Sequence, residues 1–165
     1  MSATVPKTPT IALLGQPNSG KSTLFNGLTG ARQRVGNWPG KTVEKKEGHY
    51  VKNGIRYNIV DLPGTYSLSA NSEEEIITRD YIASGQADIV CILADSSQLS
   101  RSLFMLADYA GILCPAVLLL NLMDVAEEQG KIIEAEKLRE KLGIPVIPFV
   151  AADLSKYDLF YNVVD

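Results

Sequence analysis

The sequence has no apolar run long enough to cross a bilayer. Its longest, residues 110–120, falls far short of the roughly 20 residues a spanning helix requires. A secretory leader is missing too: residues 1–10 hold Pro6 and Pro9 and have no apolar centre. These absences predict a soluble piece, with any membrane segment lying past residue 165 of a longer parent. Basic residues form no dense cluster along the chain, and 16 Lys and Arg against 19 Asp and Glu leave a net charge of −3. A nucleic-acid-binding surface is therefore disfavoured. A small phosphate site is not, because backbone amides build one without net positive charge. Cysteine is scarce and no CxxC spacing exists; Cys91 and Cys114 each lie in or beside an apolar run. They read as reduced, buried thiols of a reducing compartment, with a metal or redox pair as the weaker alternative. The single histidine, His49, falls in a strand pattern away from the phosphate motifs and reads as solvated rather than catalytic.

What is present points to an α/β fold. The 165 residues suffice for one domain, taken as 10–165 behind a flexible segment 1–9. Short apolar runs alternate with helical patterns. Strands are expected over 10–15, 43–51, 55–61, 88–94, 116–121 and 145–150. Helices are expected over 21–29, 72–84, 99–110, 131–142 and 156–165. The second opens on the capping box Ser72-Glu73-Glu74-Glu75. The fourth would set Ile132, Ala135, Leu138 and Leu142 on one face, ended by Gly143. Asn53-Gly54 is a hairpin signal, so the strands on either side of it should be antiparallel within an otherwise parallel sheet.

Gly15-Gln16-Pro17-Asn18-Ser19-Gly20-Lys21-Ser22 fits G-x-x-x-x-G-K-[ST] between an expected strand and an expected helix. The glycines turn amides inward, and the helix start, continued by Thr23, favours an anion. Lys21 would reach the β- and γ-phosphates, and Ser22 would ligate Mg²⁺. In Asp61-Leu62-Pro63-Gly64 the aspartate is placed to hold Mg²⁺ through water, and Gly64 offers an amide to the γ-phosphate. In Asn121-Leu122-Met123-Asp124 the Asp124 carboxylate suits the two donors of a guanine edge, which adenine lacks. Together these imply a P-loop NTPase, small-GTPase-like three-layer sandwich with about six strands. These would be mostly parallel with one antiparallel edge strand, and helices would cover both faces.

A further segment is more specific. Gln33-Arg34-Val35-Gly36-Asn37-Trp38-Pro39-Gly40-Lys41-Thr42-Val43-Glu44-Lys45-Lys46-Glu47-Gly48 resembles the first switch of the FeoB family of ferrous iron transporters. Asp61-Leu62-Pro63-Gly64-Thr65-Tyr66-Ser67-Leu68 with Ser72-Glu73-Glu74 resembles its second switch. The resemblance implies a GTP-hydrolysing N-terminal G domain with slow intrinsic turnover. A helical domain and a membrane region would follow in the parent, at the cytoplasmic side of a bacterial inner membrane. Thr42 would be the switch threonine on Mg²⁺, beside Gly40. Asn18 would meet a potassium ion whose coordination the backbone carbonyls of Gly36 and Trp38 complete. Thr65 stands where many GTPases carry a water-orienting glutamine. Ala151 and Ala152 would offer amides to the guanine O6. Three positions depart from the usual pattern: Leu122 for lysine, Lys41 for an apolar residue, and Val150-Ala151-Ala152-Asp153 for a serine-containing loop. No iron site is expected in this domain, and a homo-oligomer is left open. Two alternatives stand beside the enzyme: a nucleotide-sensing module, and a GTPase acting on ribosomes or tRNA.

Overall fold

The computed structural model describes residues 8–65, 71–100 and 115–164. The segment 1–7, residues 66–68 of the second switch, most of the expected helix 99–110 and Cys114 lie outside these residues.

The chain runs through β1 (Thr10–Gly15), α1 (Lys21–Thr29), β2 (Gln33–Asn37), β3 (Glu44–Lys52), β4 (Ile55–Asp61), α2 (Glu73–Ala83), β5 (Ile89–Asp95), β6 (Ala116–Asn121), α3 (Met123–Glu128), α4 (Ala135–Leu142), β7 (Val146–Pro148) and α5 (Tyr157–Val164). The seven strands form one sheet in the order β2-β3-β4-β1-β5-β6-β7. β1 pairs in parallel with β4 and β5, and the parallel register continues through β6 to β7. β2, β3 and β4 pair antiparallel.

Two apolar layers flank the sheet. On one face Leu24, Phe25 and Leu28 of α1 pack with Tyr157 and Phe160 of α5. On the other, Ile77, Tyr81 and Ile82 of α2 share one apolar cluster with the strands, against which Ala135 and Leu138 of α4 also pack. Burial alternates strictly where both faces matter: Ala12 and Leu14 face α2, while Ile11 and Leu13 face α1.

Three expectations change. The sheet has seven strands rather than about six, because Gln33–Asn37 adds the edge strand β2. All five of its residues are exposed, so no burial pattern announced it. His49 consequently lies one strand in from the edge. The helix expected over 131–142 begins only at Ala135. Gly130, at φ +71, ends the preceding turn, and Lys131 then donates to the Ser97 carbonyl. This sends Ile132 outward, 91% exposed, while Ile133 packs on the core. The last strand shortens to Val146–Pro148.

The hairpin at Asn53-Gly54 forms as expected, with both residues at positive φ. So does the cap of α2, where Ser72 Oγ accepts the Glu75 amide at 3.1 Å.

Candidate functional site

Parallel pairing gathers the motif residues at one edge of the sheet. β1, β4, β6 and β7 all end there, carrying Gly15, Asp61, Asn121 and the loop after Pro148. β1 sits where chain order reverses, with β4 on one side and β5 on the other. Open α/β sheets bind ligands at such a switch point.

The loop from Gly15 to α1 is bent by Asn18 at φ +68 and Gly20 at φ +96. Ser19 N–H closes the turn on the Gln16 carbonyl at 3.1 Å. Gly20 is required twice over. Its φ suits glycine, and a Cβ there would stand 1.9 Å from Asn121 Nδ2. Ser22 and Thr23 are exposed in the first turn of α1, where helix amides have no partner within the helix.

Lys21, 9% exposed, turns into this edge. Its ammonium donates to Asp61 Oδ1 at 2.7 Å and to the Leu62 carbonyl at 2.7 Å. The two motifs are thus in direct contact across 40 residues. Backbone bonds reinforce the junction: Leu62 N–H reaches Leu13 O at 3.1 Å and Thr65 N–H reaches Gly15 O at 3.1 Å. Gly64 lies against Pro17, whose ring a Cβ would approach to 3.3 Å. Thr65 is buried, and its hydroxyl has no hydrogen-bond partner among the described residues.

Asn121 is the hub of the opposite side. Its Nδ2 donates to the Ser19 carbonyl at 2.8 Å, and its Oδ1 accepts the Ala151 amide at 2.8 Å. One buried side chain therefore ties the phosphate loop to the loop after β7. Leu122 follows at φ +59 and starts α3. Asp124 is exposed at the start of α3. With Met123, Phe149, Ala152 and Asp153 it lines a cavity of about 660 Å³.

The two loop alanines separate. Ala151 is buried with its amide committed to Asn121, whereas Ala152 lines the cavity. The Ala151 amide is therefore already held by Asn121 in this structure. The loop also has bracing that the sequence reading missed. Tyr157 OH donates to the Ala151 carbonyl at 2.8 Å, and Asp153 Oδ1 accepts the Ser155 amide at 3.0 Å. Burial pushes the Tyr157 phenol up to about 12, with Tyr161 adding to the shift. Gly27 makes room for this tyrosine; a Cβ would sit 2.2 Å from its hydroxyl. No sequence signal links positions 27 and 157, since only helix packing brings them together.

The first switch is divided. Gly36 lies in β2 opposite Lys45. Trp38 turns inward against Tyr81, with ring centroids 5.5 Å apart, so its indole is a core anchor. Its carbonyl accepts the Lys41 amide at 2.9 Å, closing a turn through Gly40 at φ +70. Thr42 is exposed just after that turn. Cys91 is fully buried in β5, and burial pushes its thiol up to about 12. Among the described residues, no three His, Cys, Asp or Glu side chains converge as a metal cluster would require. No helix among them is long and apolar enough to cross a membrane.

A glycine-rich loop at the switch point of a mainly parallel sheet, answered by Asp61 on one side and Asn121 on the other, defines a P-loop G domain of the small-GTPase class. More narrowly, the chain belongs to the ferrous iron transport protein B family, whose family model matches residues 9–163. It is 49% identical over 146 residues to the Fe(2+) transporter FeoB of Shigella flexneri, covering 86% of this chain and 19% of that one. The Salmonella typhimurium transporter is 48% identical over the same length and with the same coverage. The chain thus spans about a fifth of these curated relatives.

Solved structures agree. The cytosolic domain of T. maritima FeoB in its GMPPNP form aligns with a TM-score of 0.91 at 40% identity, over 95% of this chain and 62% of that one. The isolated T. maritima G domain aligns with a TM-score of 0.86 at 40% identity, over 96% and 98%. An S. thermophilus NFeoB mutant bound to mGDP aligns with a TM-score of 0.89 at 42% identity, over 95% and 60%.

Proposed function

We propose that this domain binds GTP and GDP and hydrolyses GTP, and that within a ferrous iron transporter its nucleotide state governs Fe²⁺ uptake. The observation that carries this reading is the meeting of Lys21 with Asp61 at 2.7 Å beneath the phosphate loop. A buried ammonium and carboxylate at this edge supply opposite charges for a triphosphate and its cation.

Lys21 neutralises the β- and γ-phosphates, and the amides of residues 16–23 surround them. The donor set suits Mg²⁺: hard oxygens from the exposed Ser22 hydroxyl and the Asp61 carboxylate, joined by Thr42 when the switch closes. When bound, Mg²⁺ neutralises charge on the β- and γ-oxygens. Gly64, held against Pro17, presents its amide toward the γ-phosphate. Asp124 accepts from the guanine edge and Ala152 donates to O6, while Leu122 and Asn121 shape the pocket beneath the base. Asn18 with the Gly36 and Trp38 carbonyls would hold K⁺, which would supply the positive charge an arginine finger gives elsewhere; turnover without further help would be slow. The parent places the domain at the cytoplasmic face of a bacterial inner membrane.

Binding of fluorescent GTP with Mg²⁺, competed by GTP and by ATP, tests the assignment. Displacement by GTP alone is expected; equal displacement by both removes Asp124 from base selection. Hydrolysis measured in K⁺ and in Na⁺, with Asn18→Ala alongside, tests the monovalent ion. Faster turnover in K⁺ that Asn18→Ala abolishes is expected. Equal rates in all arms would discard that ion and leave the GTPase standing.

A further inference from the structure

The antiparallel end of the sheet has one covered face and one open face. Tyr50 and Tyr57 point toward α5, where Tyr50 meets Phe160 and Tyr161. Side chains alternate along a strand, and residues directly opposite on paired strands share a face. The other face therefore carries Lys45, Glu47 and His49 of β3, with Arg34 of β2 opposite Glu47, Asn58 of β4 opposite His49, and Arg56 opposite Val51.

These residues, with Arg32, line a groove of about 530 Å³ whose inner wall is Tyr81 and Gln86. The cations lie far apart in sequence, and only strand pairing assembles them. They form a basic surface on a protein whose net charge is −3. Glu47 answers Arg34 and, at 3.8 Å, Lys45. Among the described residues Arg32 and Arg56 have no carboxylate partner: Arg32 donates to the His49 carbonyl and Arg56 to Asn58 Oδ1. The field is felt locally, since the His49 imidazole is held below its usual range, by desolvation first and by Arg56 and Arg32 next.

We propose that this groove docks an extended, carboxylate-rich polypeptide segment. Two features favour a peptide over a phosphate compound. The cations are spread out rather than gathered at one point: Arg32 and Arg34 stand two residues apart across the start of β2, Lys45 lies on β3 and Arg56 on β4, which suits several carboxylates along an extended chain better than one compact anion. No glycine-rich amide cradle of the kind that holds a phosphate is among the residues lining the groove. Beside the groove, β2 is the sheet edge and pairs only with β3 among the described residues, leaving one backbone margin for a strand to follow. The groove takes in part of the first-switch segment, but none of its lining residues is among those assigned to the nucleotide, so the proposal does not depend on that assignment.

The test is fluorescence anisotropy of a labelled, glutamate-rich ten-residue peptide with this domain free of nucleotide. Saturable binding that weakens with salt is expected. Arg32→Glu with Arg56→Glu should weaken it about tenfold or more, since like charges would then face the peptide. Glu47→Gln should tighten it. Circular dichroism and unchanged nucleotide binding certify that the variants fold. No binding by the wild type, or equal binding by the charge-reversed variant, overturns the proposal. So does displacement of the peptide by phosphatidylglycerol vesicles or by an RNA oligomer at equal charge, since either would then be the better occupant.

Discussion

Asn121 shows how much a single residue holds. Its amide satisfies the Ser19 carbonyl and the Ala151 amide, both buried. Asn121→Ala leaves two polar groups without partners and should lower unfolding stability by about 2–4 kcal/mol, measured by urea denaturation. Asp124 bears on chemistry instead of stability, because it is exposed. Asp124→Asn exchanges an acceptor for a donor at the base edge. GTP affinity should fall about 100-fold or more with stability unchanged, and xanthosine triphosphate, which carries an oxygen where guanine has its amine, should bind in its place. Titration calorimetry with both nucleotides reads the outcome. Cys91 is closed off: burial pushes its thiol up to about 12 and leaves no access. Iodoacetamide should modify it only after unfolding, as peptide mass spectrometry of Cys91 will report.

At the scale of elements, α5 reaches the nucleotide edge through one hydroxyl. A run of bonds at 2.8 Å passes from Ser19 through Asn121 and Ala151 to Tyr157. Tyr157→Phe removes the last of them and should cost about 1 kcal/mol while speeding nucleotide release, measured by stopped-flow with a fluorescent GDP. Its effect on pH dependence has a definite sign. The phenol lies at 10 in the unfolded chain and about 12 in the fold, so the fold favours the protonated form. The Tyr157 contribution to stability is intact below pH 10 and is lost as pH rises from 10 toward 12. Cys91 shifts the same way, so Tyr157→Phe should shallow the alkaline slope without removing it. Denaturation midpoints across that range check this.

For the whole molecule, a ligand that binds only the folded state stabilises it. Mg²⁺ with GTP at about 100 times its Kd should add ~2.7 kcal/mol, raise Tm, and lose the effect with EDTA. ATP at that concentration should leave Tm unchanged. The same scale separates what was legible in residue order from what was not. Local chemistry was legible wherever a motif is contiguous. The phosphate loop, the Asn-Gly hairpin, the Ser72 cap and the buried strands β1, β5 and β6 each depend on neighbours within a few residues. Where signals weakened, so did the reading: β2 is exposed throughout, and Ile132 imitates a helical face that Gly130 and Lys131 prevent. Sequence by itself determined the family, the fold class and the motif residues, because these are local patterns of type and spacing. Tertiary structure alone decided that Lys21 meets Asp61, that Ala151 gives its amide to Asn121, that Tyr157 fits over Gly27, and that Arg32, Lys45 and Arg56 share a groove. Each of those contacts joins distant positions through strand pairing or helix packing, and no spacing along the chain encodes them.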